Sequence, residues 1–139
     1  MNKKMKVLVG LCLAAVLALG GAGRYAQAGT EYVTVLDIYG RTHTIRGTST
    51  IGRTSGTAYT EAEGSSSCYC TVSATFTWYD SNLSTLYSNG NSAGGMHGAA
   101  VSISYSGDAN AVASAYVSAN HAVSVTDGGS GSCPTSDSW

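Results

Sequence analysis

The sharpest pattern along the chain is the alternation over residues 70–79. Cys70, Val72, Ala74, Phe76 and Trp78 fall on one side, and Thr71, Ser73, Thr75, Thr77 and Tyr79 on the other. A period of two built from β-branched and aromatic residues predicts a strand with one buried face. Asp80-Ser81-Asn82 supplies the turn that ends it. Val101, Ile103 and Tyr105 set against Ser102, Ser104 and Ser106 predict a second such strand, closed by Gly107-Asp108. Near the other end, residues 32–38 run out, Tyr39-Gly40-Arg41 turns, and residues 42–46 return as a hairpin.

Residues 111–125 alternate as well. Alanine and valine hold most of the odd positions, and Ser114, Tyr116, Ser118, Asn120 and Ser124 hold even ones. Alanine in isolation favours helix, but the alternation favours strand. Fifteen strand residues would span about 50 Å, long for so small a chain. The expectation is two strands or one bent strand breaking near residues 118–120, with a short helix as the alternative. Stretches rich in Gly and Ser at 47–56, 63–67, 88–98 and 127–132 read as connectors. The whole predicts an all-β fold, a small antiparallel β-sandwich or barrel of about six to eight short strands.

Charge divides the chain in two. Residues 1–28 carry Lys3, Lys4, Lys6 and Arg24 and no acid, with an apolar run at 7–19 and a small-residue stretch ending in Ala26-Gln27-Ala28. That tripartite pattern predicts a signal peptide at 1–28, cleaved after Ala28, and a single secreted, extracellular domain at 29–139. Thirteen apolar residues as a helix rise only about 20 Å against a hydrocarbon core of roughly 30 Å, so no membrane span is expected after cleavage. The remaining 111 residues hold Arg41, Arg46 and Arg53, no lysine and eight acids, a net charge of −5. Such a surface is unsuited to phosphate backbones, and nucleic acid is excluded as a partner. Val, Ile, Leu and Phe supply only 16 of those residues against 35 Ser and Thr, so the core must be thin.

A thin core gives weight to the cysteines. Removal of Cys12 with the signal leaves Cys68, Cys70 and Cys133. In an exported protein oxidation is the expected state. Cys68 and Cys70 share one face of a strand, where a bond between them would be strained. Cys133 is therefore expected to pair with one of them, and Cys68–Cys133 is favoured because Cys70 belongs to the apolar face. Closing that loop would add about 4 kcal/mol. The odd thiol would be buried or would link two copies as a disulfide-bonded homodimer. The cysteine spacing matches no zinc finger or ribbon, and neither a metal nor another cofactor is expected.

Catalytic signatures are scarce. His43, His97 and His121 are far apart in sequence, and no HExxH, phosphate loop, dinucleotide fingerprint or nucleophile elbow occurs. Glu61 and Glu63 share a strand face and, with His121, define a hydrolase alternative. His121, alone on an otherwise apolar face, reads first as a hydrogen-bonded core histidine. The aromatic residues are the better lead. Tyr69 and Tyr79 lie on the polar face of the central strand among Thr75 and Thr77, and tyrosine suits binding surfaces. These four residues are the candidate binding site. The expected function is non-catalytic binding or assembly at or outside the cell surface, with a protein or a carbohydrate as partner. A bacteriocin-like secreted toxin is the second alternative, and the signal peptide looks bacterial in style.

Overall fold

The computed structural model describes residues 29–64 and 67–139; the expected signal peptide lies outside them. Among the described residues, eight strands form two four-stranded antiparallel sheets. They are β1 (Gly29–Leu36), β2 (Thr42–Ile51), β3 (Ser55–Ala62), β4 (Tyr69–Tyr79), β5 (Thr85–Met96), β6 (Gly98–Ser104), β7 (Ser114–Ser124) and β8 (Ser130–Ser138). One sheet runs β1-β2-β3-β6 and the other β5-β4-β7-β8. The sandwich expected from the alternation is the fold observed.

Three expectations about local structure need correction. Residues 88–98 are not a connector but most of β5, which pairs with β4 along its length. Its backbone is held by the neighbouring strand, so its Gly, Ser and Asn residues need no pattern of their own. The same holds for residues 47–51, which continue β2, and for the start of β8. Residues 114–124 form one unbroken strand, roughly 36 Å long. Pairing with β4 on one side and β8 on the other carries it past 118–120 without a break. The helical alternative survives only as a single 3₁₀ turn at Ala109–Ala111, capped by Asp108.

The inner faces pack where the alternation places them. Phe76 and Trp78 are fully buried with Ile51, Ala58, Val72, Val101, Val112 and Val117 around them. Trp78 stacks near Phe76 at 6.4 Å and Tyr105 at 6.0 Å between ring centroids, and its indole N–H donates to the Gly52 carbonyl at 3.1 Å. A second cluster holds Val35, Ile45, Cys68, Cys70, Val123 and Val125. Small residues let the sheets approach between these clusters. A Cβ on Gly47 would collide with the imidazole of His121, and one on Gly56 with the Phe76 ring. Gly47→Ala is expected to destabilise the fold by about 1–3 kcal/mol, the usual penalty for overpacking a closed site. Urea unfolding with an unchanged m-value would measure it, and wild-type stability would show that the ring can move aside.

The Cys68–Cys133 bond is absent; Cys68, Cys70 and Cys133 form no disulfide and are at most 1 % exposed. The register explains why. Cys133 stands level with His121 and Val72, so β7 separates it from β4 by two strand spacings, roughly 10 Å. Cys68 is offset by a further four residues along the sheet. Disulfides require Cα atoms within about 7 Å. Cys68 instead approaches Cys70, with 4.0 Å between their sulfurs. Burial pushes the Cys70 thiol up to about 12, with the adjacent Cys68 adding to the effect. None of the three is presented on the surface for an intermolecular bond.

Candidate binding face of the β5-β4-β7-β8 sheet

Three polar constellations stand out, and two of them are structural. His121 is 0 % exposed and lies on β7 between the two apolar clusters. Its Nδ1 is 2.8 Å from Thr60 Oγ1 and its Nε2 is 2.7 Å from Thr135 Oγ1. Thr60 donates its own hydroxyl hydrogen to the Thr71 carbonyl at 2.9 Å. That direction fixes the rest: Thr60 must accept from Nδ1–H, and Nε2 must accept from the Thr135 hydroxyl. Desolvation lowers the imidazole to about 4, so the ring is neutral near pH 7. Thr60 belongs to one sheet and His121 and Thr135 to the other, so the chain of hydrogen bonds ties them together. The ring has no route to solvent, and its task is cohesion.

The second constellation builds the β1–β2 hairpin. Burial alone would raise the Asp37 carboxyl, but donors outweigh it and hold the group well below the usual carboxylate range. They are the backbone and guanidinium of Arg41, the His43 ring and the backbone of Tyr39. The Arg41 Nε contact is 2.6 Å and the Tyr39 N–H contact 2.8 Å. The turn also joins the other sheet through a bridge between Asp37 and Gly128. Glu61, one carboxylate of the hydrolase alternative, accepts from Arg46 at 2.6 Å on the outer face of the β1-β2-β3-β6 sheet. Glu63 lies just past the end of β3. The sandwich therefore keeps Glu61 and His121 on opposite sides of one sheet.

The third constellation is the outer face of the β5-β4-β7-β8 sheet. Strand alternation aims Tyr69, Thr71, Ser73, Thr75, Thr77 and Tyr79 outward from β4. Register sets Tyr116, Ser118, Asn120, Ala122 and Ser124 of β7 beside them, followed by Ser130, Ser132, Pro134, Ser136 and Ser138 of β8. On the other flank β5 contributes Ser88, Gly90, Ser92, Gly94 and Met96. Not one of these positions holds a charged side chain. On a chain of net −5 beyond residue 28, a whole sheet face without charge is a distinct surface.

Its relief comes from side-chain size. Tyr69 is 46 % and Tyr116 44 % exposed. The Tyr69 ring lies across Gly94, where a Cβ would stand only 2.5 Å from its hydroxyl and 3.0 Å from Cζ. Gly94 thus gives the ring its seat. Beyond Tyr69, the small Ala122 leaves an open trough of ≈ 340 Å³, lined also by Thr71, Asn120, Ser124, Ser130 and Ser132. Toward the other end, Thr77 and Ser88 share a hydrogen bond at 2.9 Å, and Tyr116 stands opposite Thr77.

Of the four residues expected from sequence, all lie on this one face. Tyr69 and Thr75 are exposed, and Thr77 and Tyr79 are half-buried. Tyr69 and Tyr79 are at opposite ends of β4, roughly 33 Å apart along the strand, so they do not form one pocket. Sequence reasoning missed Tyr116, Asn120 and Gly94. The alternation over residues 111–125 marked the first two as outward, but nothing in it said that β7 lies against β4. Gly94 carries no signal at all until Tyr69 is seen resting on it. No family model matches this chain, and no curated protein or solved structure compared with it does either.

Proposed function

We propose that this is a small exported, non-catalytic binding protein that acts at or outside the cell surface and holds a neutral polysaccharide on the outer face of β5-β4-β7-β8. The observation that carries the reading is the uncharged sheet face with an aromatic ring beside its trough. A neutral glycan offers hydroxyl groups that exchange hydrogen bonds with Ser, Thr and Asn, and apolar C–H faces that pack on Tyr rings. It brings no charge that would need a partner, and this face supplies none. A broad, even sheet also suits an extended polymer better than a compact metabolite, which favours an enclosed pocket. The hydrolase alternative is weakened because Glu61 is engaged by Arg46 and His121 is buried on the far side of that sheet.

Binding to insoluble neutral polysaccharides, followed by depletion from solution, tests the reading. Tyr69→Ala and Tyr116→Ala are each expected to weaken retention about tenfold, a loss typical of an anchoring aromatic. Gly94→Ala should weaken it too, by lifting the Tyr69 ring from its seat while removing no contact group. Retention unaltered in all three variants would place binding elsewhere. Retention that vanishes with moderate salt would show an ionic contact this face cannot make.

A further inference from the structure

We propose that Cys68 and Cys70 join as a disulfide in an oxidising medium, closing a small ring around Tyr69. Their sulfurs already meet at 4.0 Å, inside the apolar cluster of Val35, Ile45, Val123 and Val125. Two residues apart along an extended chain, their Cα atoms stand about 6.6 Å from one another, within the span of a disulfide. The strain expected of two cysteines on one strand face applies to a pair that the ladder holds at both ends. Only Cys70 is so held, opposite Gly95 and Val123. Cys68 precedes the first residue of β4, and its carbonyl accepts from the His97 N–H at 3.1 Å. Its side chain can therefore turn the remaining distance. Tyr69, between them, points to the outer face, so closure fixes the backbone beneath that exposed ring.

The fold leaves this pair without a rival. Cys133 is two strand spacings from β4, roughly 10 Å, with β7 between them. It is offset further along the sheet, by two residues from Cys70 and by four from Cys68. The dry cluster also suits the product, since a disulfide carries no charge and no polar hydrogen that would need a partner.

Closure removes two electrons and two protons from the thiols, and a small-molecule or protein disulfide is the oxidant. One cysteine thiolate attacks it, forming a mixed disulfide and expelling one thiol. The second cysteine attacks that mixed disulfide and expels the other. Two cysteine thiols and one oxidant disulfide thus give the Cys68–Cys70 bond and two thiols. Both attacks need a thiolate. In the finished fold the pair is sealed from solvent, and burial pushes Cys70 up to about 12. The bond therefore closes while the chain folds, before the sheets cover it.

Refolding in a mixture of glutathione disulfide and glutathione tests the pairing without requiring export or a glycan. Refolded protein with native circular dichroism is alkylated under denaturing conditions, weighed intact and mapped by peptide mass. The expected product is a monomer lighter than the reduced chain by two hydrogen atoms, with Cys133 alkylated and Cys68 and Cys70 shielded. Prior reduction should expose all three. Cys133→Ala should close the same bond. Cys68 and Cys70 both alkylated without reductant would overturn the proposal, as would glutathione retained on either or Cys133 joined to one of them. The wild-type readout stands even if the variant misfolds. Failure of polysaccharide retention would leave these results unaltered.

Discussion

His121→Ala is expected to lower the unfolding free energy by about 3–4 kcal/mol. Truncation of a fully buried ring leaves a cavity between two closely spaced sheets. It also strands the Thr135 hydroxyl, whose hydrogen-bond acceptor is His121 Nε2 at 2.7 Å. Thr60 loses the donor at 2.8 Å but keeps its bond to the Thr71 carbonyl, so one orphan is created and not two. Because Thr60 lies across the sandwich, the variant should loosen the join between sheets as well as one strand. Chemical unfolding measures the loss. A change below about 1 kcal/mol would mean that water or a repacked neighbour replaces the ring, and that the network is incidental.

Acid is expected to weaken the protein in a window set by the same ring. The unfolded histidine binds a proton below about pH 6.5, whereas His121 in the fold does so only near 4. The unfolded chain therefore holds more protons across that interval, and stability rises with pH there. Stability should be full above pH 6.5, fall by about 3 kcal/mol toward pH 4, and level below it. Asp37 adds a further loss below the ordinary carboxylate range, since its folded form resists protonation. Asp137 acts in the opposite sense. Burial raises its carboxyl, against the pull of the Ile51 and Ser138 N–H groups, so its protonation returns some stability as pH falls. Cys70 sets the alkaline limb, with stability lost as pH climbs above 9. Unfolding free energy measured from pH 8 to 3 checks the acid limb. His121→Leu should flatten the slope between 6.5 and 4, and a slope that survives in that variant would assign it to other groups.

The parts of this structure legible in the sequence are those whose own side chains set the period. β4 could be read residue by residue because apolar and hydroxyl side chains alternate over its whole length. The β1–β2 hairpin was legible from Tyr39-Gly40-Arg41, and the turn there is held by Asp37. β5 was not legible. Leu86, Tyr87 and Ala93 are too sparse to mark a face, and the strand forms because β4 offers it a ladder. The cysteine pairing failed for a related reason. Loop-closure arguments count residues along the chain, whereas the distance from Cys68 to Cys133 is set by β7 lying between β4 and β8. His121 was legible as a buried histidine, but its partners come from strands 61 and 14 residues away. Likewise, Tyr69 could be seen on the polar face of β4, yet the face became a surface only when β7, β8 and β5 were placed beside it.

The central claim is that binding occurs on the uncharged outer face of β5-β4-β7-β8, and hydroxyl-radical footprinting tests it most directly. The protein is labelled free and bound to a neutral polysaccharide that retains it. The account predicts that oxidation of Tyr69, Tyr116 and the neighbouring Met96 falls on binding, while Tyr39 and Tyr32 on the other sheet and its hairpin are modified as before. Protection of Tyr32 and Tyr39 with Tyr69 and Tyr116 unaltered would contradict it.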